Sequence, residues 1–207
     1  FLPEAIVNYV ALLGWNPGDE REIFTMEELI EAFDIERINK SSATFSLEKL
    51  TWLNGEHIRR LDPQKFHELA LKYYPEGVRH LDLEKISRLI QIRIERFTEI
   101  PTMVKFLYEL PDYDPTLFEN PKSKSTLQSS REILQEVIPL LENIEEWTNE
   151  SLFTALKNFA NAHGYKIGTV MWPIRTALSG QFASPGGATE LADLLGKDET
   201  LRRLKIG

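Results

Sequence analysis

Residues 82–97 read DLEKISRLIQIRIERF and carry the clearest structural signal in the chain. In an α-helix each residue turns by about 100°, so side chains three or four positions apart share a face. One face of this segment is apolar and consists of Leu83, Ile86, Ile90, Ile94 and Phe97. The pattern predicts an amphipathic helix from Asp82 to Phe97 whose apolar face packs in a core.

The other side of this predicted helix is basic. Its cations are Lys85, Arg88 and Arg96, with Arg93 at the boundary of the apolar face. A guanidinium is planar and can donate two parallel hydrogen bonds to a base edge or a phosphate. Arg93 is therefore the leading candidate for RNA recognition, and the other three cations are candidates for contacts with an RNA backbone. The alternative is a solvated face on which Arg93 pairs with Glu95 or Glu99.

Helix signals continue towards the N-terminus. Apolar spacing predicts a first helix from Leu2 that ends near Gly14. Later helices have start signals at Thr25 with Glu28, at Ser46, and at Asp62 before Pro63. The second helix is predicted to bury Leu29, Ile30 and Phe33, and the third to bury Leu47, Leu50, Leu53 and Ile58.

Beyond residue 97, proline and polar residues interrupt the helical pattern. Residues 111–115 read PDYDP, and the polar run 120–130 predicts a connector. A helix is predicted at 133–141 and another from Thr148 or Asn149 to Gly164, followed by two short helices. No convincing alternating strand pattern occurs in the sequence. It therefore predicts an all-α fold.

The last two predicted helices flank residues 179–187, SGQFASPGG, which are too rich in glycine and proline to be helical. Small side chains allow a backbone to approach an unstacked base closely, and single-stranded RNA is read through such bases. Arg175 precedes this loop by one helical turn. The loop is a second candidate RNA contact, and the competing interpretation is a plain connector.

Composition limits the classes of function. Hydrophobic residues make up 42% of the 207 residues and charged residues 27%, which indicates a globular protein. No cysteine is present, so disulfides and thiolate metal sites are excluded, and the cytoplasm is the expected location. No apolar run reaches the roughly 18 residues of a membrane span. The net charge of -8 argues against a generic nucleic-acid binder, so any RNA contact must be local.

The sequence offers no catalytic centre. It has neither the phosphate-binding G-x-x-x-x-G-K-[ST] loop nor a G-x-G-x-x-G after a strand. The histidines are scattered without the spacing of a helical zinc pair. Adjacent carboxylates sit in helix caps or on polar helix faces, where solvation is their expected role. We therefore predict no catalytic, cofactor-binding or metal-binding residue in this chain.

Three segments together resemble the bacterial type of glutamyl-tRNA synthetase. They are FLPEAIVNYVALLGW at 1–15, FSLEKLTWLNG at 45–55, and PIRTALSG at 173–180 with the following Ser184-Pro185-Gly186 and Leu194-Leu195-Gly196. The segments occur in the family's order and span the chain. Each is modest alone, but as a set they are specific.

This resemblance implies two helical subdomains in tandem. Residues 1–74 would be a stem-contact region and residues 75–207 an anticodon-binding region, with a subdivision near 111–130. Because the chain begins at Phe1 within helical sequence, we expect a segment of a longer ligase. The implied parent joins glutamate to tRNA-Glu with ATP, through a catalytic N-terminal domain. The implied partners are tRNA-Glu and that domain, with no membrane and no DNA, and whether this chain alone is an enzyme stays open.

The resemblance also implies roles for individual residues. Arg93 would read the third anticodon base, and Arg175, Ser184 and Pro185 would lie against the middle base. Gly187 would lie near the first base, although some relatives carry a larger apolar residue there. The segment with Trp52 and Asn54 would face tRNA or, for Trp52, belong to the core. A helical protein-interaction scaffold without RNA binding is the alternative function.

Overall fold

The structure is a computed structural model that describes residues 1–39 and 44–207. Over these residues it contains eleven α-helices with short 3-10 turns and no sheet, and its β-bridges are isolated residue pairs. The helices are α1 Pro3–Gly14, α2 Met26–Ala32, α3 Leu47–Arg60, α4 Pro63–Ala70, α5 Leu83–Ile90, α6 Ile100–Met103, α7 Leu127–Glu142, α8 Asn149–Ala162, α9 Ile167–Ser179, α10 Ala188–Leu195 and α11 Lys197–Leu204. The predicted all-α fold is confirmed.

The chain divides into two compact units. Unit 1 consists of Phe1–Tyr74 and Ser87–Thr102, and unit 2 of Pro75–Ile86 and Met103–Gly207. The assignment of residues 1–74 to a stem-contact region and of 75–207 to an anticodon-binding region stays a prediction.

Local capping interactions begin the helices where the sequence predicts them. In α2, Glu28 N donates to Thr25 Oγ1 at 3.2 Å, and Thr25 N donates to Glu28 Oε2 at 2.8 Å. Ser46 caps α3, and Thr148 caps α8. Each cap pairs a backbone N–H that has no partner inside its helix. A few neighbouring residues are therefore enough to set these helix starts.

The predicted helix from Asp82 to Phe97 is too long, because α5 ends at Ile90. The buried Gln91 side chain donates to the carbonyl oxygens of Ile58 at 3.1 Å and Leu61 at 2.8 Å. The backbone N–H of Gln91 still donates to the carbonyl oxygen of Ser87 at 3.0 Å, and the chain then turns, with Arg93 N donating to the carbonyl oxygen of Ile90 at 2.9 Å. The apolar residues beyond it, Ile94 and Phe97, are nevertheless buried as predicted.

Three of the side chains predicted to be buried are exposed. Leu29 of α2 packs with Trp15 and Phe24, but Ile30 is 71% exposed and Phe33 is half exposed. Helix α2 has seven residues, about two turns, so only a narrow strip of it reaches this cluster. Leu47, the first residue of α3, is also half exposed.

A buried amide links the segments of unit 1. Asn54 of α3 accepts a hydrogen bond from Leu2 N at 2.7 Å and donates to the carbonyl oxygen of Glu95. Leaving such a group unpaired in a core would cost about 1–3 kcal/mol. Asn54 is completely buried and is therefore a structural residue, not a surface for tRNA. Trp52 is half buried, with Lys49 Nζ 4.2 Å from its ring.

Unit 2 contains a third short helix that the sequence analysis missed. Gly196, with φ of 79°, separates α10 from α11. Helix α11 packs against α7, α9 and α10. Its buried Arg203 donates to the carbonyl oxygen of Leu178, near the end of α9. This bond anchors the helix that leads into the loop 180–187.

Candidate nucleic-acid interface

Two of the predicted basic contacts are ion-paired. Lys85 Nζ on α5 lies 2.7 Å from Oδ2 of Asp193 on α10. Arg96 Nε donates to Glu99 Oε1 at 3.1 Å. The Arg96–Glu99 pair is partly exposed on both sides and contributes at most about 1 kcal/mol, so Arg96 can turn to a phosphate at small cost. The Asp193 side chain is only 14% exposed, so its pair with Lys85 is held more firmly.

Arg93 differs from these two cations. It lies exposed in the turn after α5, and within residues 1–39 and 44–207 its guanidinium has neither a hydrogen bond nor an ion pair. The alternative partner Glu99 instead accepts from Arg96 and from the backbone N–H of Glu95, the latter at 3.2 Å. Arg88 is exposed on α5. The Arg93 guanidinium is therefore available to a base edge or to a pair of phosphate oxygens.

The loop after α9 begins with a constrained turn. Gly180 has φ of 61°, and a Cβ at this position would lie 2.8 Å from side-chain atoms of both Pro111 and Tyr113. Only glycine suits both the backbone angle and the close packing. The Ser179 hydroxyl donates to the carbonyl oxygen of Arg175 at 2.8 Å and so closes the end of α9. Burial raises the pKa of Tyr113.

Arg175 holds this loop from α9. Its Nη1 donates to Ser184 Oγ at 3.1 Å, and its Nη2 donates to the carbonyl oxygen of Phe182 at 2.7 Å. Ser184 Oγ in turn donates to the carbonyl oxygen of Gly186 at 2.8 Å. The structure thus brings Arg175 and Ser184 into direct contact. The hydrogen bonds of Arg175 to Ser184 and Phe182 hold the loop 180–187 against α9.

Two aromatic residues beside Arg175 were not predicted to be functional. The guanidinium carbon of Arg175 lies 4.5 Å from the ring of Trp172, whose indole N–H donates to the carbonyl oxygen of Leu117 at 2.9 Å. The rings of Trp172 and Phe182 meet edge to face, with centroids 5.5 Å apart. Phe182 is 66% exposed. An aromatic residue inside a loop of small residues was the signal that could have identified it.

The other predicted base contacts differ in exposure. Ser184 and Pro185 are buried, whereas Gly187 is exposed immediately before α10. The backbone N–H of Gly187 donates to Glu190 Oε2 at 2.8 Å. Contacts of these residues with bases stay predictions.

In the described part of the chain, no group of three or more histidine or acidic side chains could hold a metal ion. Across the same residues, no helix is long and apolar enough to cross a membrane.

Two protein families match successive parts of the chain. Residues 65–207 match the family described as "Anticodon binding domain". Residues 1–52 match the family described as "tRNA synthetases class I (E and Q), catalytic domain".

Individual relatives match over the whole chain. The glutamate–tRNA ligase of Clostridium botulinum (strain Hall) is 51% identical and that of Clostridium acetobutylicum 48% identical, and the chain covers 43% of each. A crystal structure of a glutamate tRNA ligase from Elizabethkingia meningosepticum matches with a TM-score of 0.81 and 28% identity, the chain covering 41% of it. The glutamate-tRNA synthetase of Elizabethkingia anophelis matches with a TM-score of 0.78 and 27% identity over 40% of its length. The chain thus spans less than half the length of these relatives.

Proposed function

Because this chain belongs to the anticodon-binding domain family, we propose that it recognises the anticodon of tRNA-Glu as part of a longer glutamate–tRNA ligase. The names of its relatives suggest the amino acid and the tRNA. The observation that carries the proposal is the exposed Arg93 guanidinium, which lacks a partner within the described residues.

In this proposal Arg93 reads the third anticodon base. Arg93 has no ion-pair partner to give up among residues 1–39 and 44–207. Its guanidinium can therefore donate two hydrogen bonds to a base edge, which is a geometry that discriminates between bases.

The loop 180–187 contacts the other two anticodon bases. Arg175 and Ser184 support its backbone through their 3.1 Å hydrogen bond, and Pro185 is buried beside them. Because these side chains already hold the loop in shape in the free chain, the surface that contacts the middle base is formed before the tRNA binds. The exposed Gly187 lies near the first base and offers only backbone atoms.

Contacts with the tRNA backbone are assigned to Lys85, Arg88 and Arg96. Phosphate contacts position an RNA but carry no information about its sequence. In the free chain Arg96 keeps a partly exposed ion pair with Glu99, which a phosphate can replace at small cost. Lys85 keeps its pair with the largely buried Asp193, and its exposed side would meet a phosphate.

The longer protein would supply the chemistry. Residues 1–52 match a catalytic-domain family, and the relatives are more than twice as long as this chain. We assign ATP binding and the joining of glutamate to tRNA to a catalytic N-terminal domain, with the cytoplasm as the location. Large apolar side chains are exposed on α1 and α2, namely Ile6, Val7, Val10, Met26 and Ile30.

The competing function is a helical protein-interaction scaffold, suggested by the net charge of -8 and by these exposed apolar side chains. The anticodon-binding family match over residues 65–207 favours tRNA.

A titration of the chain with two RNAs tests the proposal. One is tRNA-Glu, and the other differs only in its third anticodon base, which is changed to that of glutamine tRNA. We expect tighter binding of the first. Equal binding would remove the specificity assigned to Arg93, and no binding of either RNA at low ionic strength would contradict tRNA recognition.

A further inference from the structure

Phe182 places a large apolar ring in solvent within the loop 180–187. The residue is 66% exposed, whereas Ser184, Pro185 and Gly186 a few positions later are buried. A single exposed hydrophobic residue is ordinary on a protein surface. Phe182 differs from such a residue because contacts with α9 fix both its ring and its backbone.

Both the ring and the backbone of Phe182 are supported from α9. The ring rests edge to face on Trp172, with centroids 5.5 Å apart and an angle of 69° between planes. The backbone carbonyl oxygen accepts from Arg175 Nη2 at 2.7 Å. Trp172 is itself fixed by its 2.9 Å hydrogen bond to the carbonyl oxygen of Leu117. Neighbouring aromatic and cationic groups thus orient a ring whose surface is largely uncovered.

The loop that carries the ring is preorganised at both ends. Gly180 packs directly against Pro111 and Tyr113, and Ser184 Oγ bridges Arg175 and the carbonyl oxygen of Gly186. Ordering a side chain or loop on binding reduces affinity. A ligand that meets Phe182 avoids most of that cost.

We propose that Phe182 is a stacking platform for an unpaired base of the anticodon loop. This inference rests on the proposed function and extends it to a residue that the sequence analysis did not single out. Stacking between a base and an aromatic ring is sequence-tolerant, because every base has a π-face. Phe182 therefore supplies affinity, while the hydrogen bonds of Arg93 supply discrimination. The nearby positive charge of Arg175 attracts the phosphates that flank the stacked base.

The test uses this chain with tRNA-Glu transcripts that carry 2-aminopurine at one anticodon-loop position at a time. Stacking of 2-aminopurine on an aromatic ring changes its fluorescence, so the stacked position is identified directly. The variants are Phe182→Leu, which keeps an apolar side chain without the ring, and Phe182→Tyr, which keeps the ring. Phe153→Leu is the matched control, because Phe153 is also an exposed phenylalanine, on α8.

We expect Phe182→Leu to weaken tRNA-Glu binding about 5- to 150-fold, which is the range of one stacked base, and to abolish the fluorescence change at one position. Phe182→Tyr and Phe153→Leu should bind as the unmodified chain does. The ratio of affinities for the two RNAs that differ in the third anticodon base should stay the same in every variant. Urea unfolding should show that Phe182→Leu stays folded under the binding conditions, with only the small loss expected from one exposed edge-to-face contact with Trp172.

Two results would overturn the inference. One is unchanged affinity of Phe182→Leu with anticodon discrimination intact, and this result would leave the proposed function standing. The other is the same fluorescence change with Phe182→Leu as with the unmodified chain. Failure of the unmodified chain to bind tRNA-Glu would instead contradict the proposed function itself, so the two failures are distinguishable.

Discussion

The guanidinium of Arg203 donates a hydrogen bond of 2.6 Å to the carbonyl oxygen of Leu178, one residue before the end of α9. The same side chain donates to the carbonyl oxygens of Phe106 at 2.8 Å and Leu107 at 3.0 Å, and its Nε donates to Glu199 Oε1 at 2.6 Å. Carbonyl groups at helix ends have no partner within the helix. The buried guanidinium of Arg203 thus donates to three such carbonyl groups, and it anchors the end of α9 from which the loop 180–187 emerges.

Replacing Arg203 should strongly destabilise unit 2. Arg203→Met leaves three buried carbonyl groups unpaired, and we expect a loss of about 3–5 kcal/mol in the free energy of unfolding. Arg202→Met is the matched control, because Arg202 pairs with the same Glu199 but is largely exposed, and it should cost at most about 1 kcal/mol. Urea denaturation measures both, and similar losses would contradict a special role for the buried residue.

Acid should weaken the same region through Glu199. Hydrogen bonds from Arg202 and then Arg203 lower the pKa of Glu199 from 4.5 to about 2, against the opposing effect of burial. Because the folded-state pKa is the lower one, the stabilisation is present above about pH 4.5 and is lost as the pH falls towards 2. The difference in unfolding free energy between the unmodified chain and Glu199→Gln should shrink over this window. Urea midpoints between pH 6 and pH 3 check this, and a constant difference would rule it out.

Gly180 should tolerate alanine less well than another left-handed glycine. At Gly164, φ is 70° and an added Cβ meets nothing within 4 Å, so alanine brings only the backbone cost of about 1–2 kcal/mol. At Gly180 the added Cβ also overlaps Pro111 and Tyr113. Thermal or urea unfolding of both variants should show a larger loss for Gly180→Ala. Equal losses would mean that the packed side chains move aside freely.

Removing the Arg93 guanidinium should reduce discrimination without affecting folding. Arg93→Ala should lower the preference for tRNA-Glu over the RNA with an altered third anticodon base by about 1–3 kcal/mol. Arg93→Lys keeps the charge but loses the paired donors, so it should not restore the preference. Stability should change by no more than about 0.5 kcal/mol, because the side chain is exposed. Titration of each variant with both RNAs measures the effect, and an unchanged preference would exclude Arg93 as the reader of that base.

Phosphate contacts should behave differently from Arg93. Arg96→Gln should weaken binding of both RNAs equally and flatten the slope of log affinity against log salt by about 1. The measurement is the same titration at several salt concentrations. A change in base preference with Arg96→Gln would show that this residue contacts a base.

The start of helix α5 was predicted from the sequence, but its end was not. Its start was predicted at Asp82, whose carboxylate accepts from Lys85 N at 3.0 Å, three residues away. Its end at Ile90 was missed, and the turn that follows it carries Gln91, whose side chain bonds to Ile58 and Leu61, about thirty residues earlier in the chain. Some residues of the candidate site were likewise predicted from the sequence, and others were not. Arg93 and Arg175 were named from residue chemistry and family resemblance, whereas the support of Phe182 by Trp172 emerges only when α9 and its loop fold together.

The sequence by itself determined that the chain is all-helical, where several of its helices begin and which family it resembles. Capping and amphipathic spacing act between residues a few positions apart, so a linear pattern records them. The tertiary structure alone decided where α5 ends, which cations are ion-paired, that Arg203 is buried and that Phe182 is exposed. Those features depend on hydrogen bonds and packing between residues that are far apart in the chain, and local residue patterns do not specify such contacts.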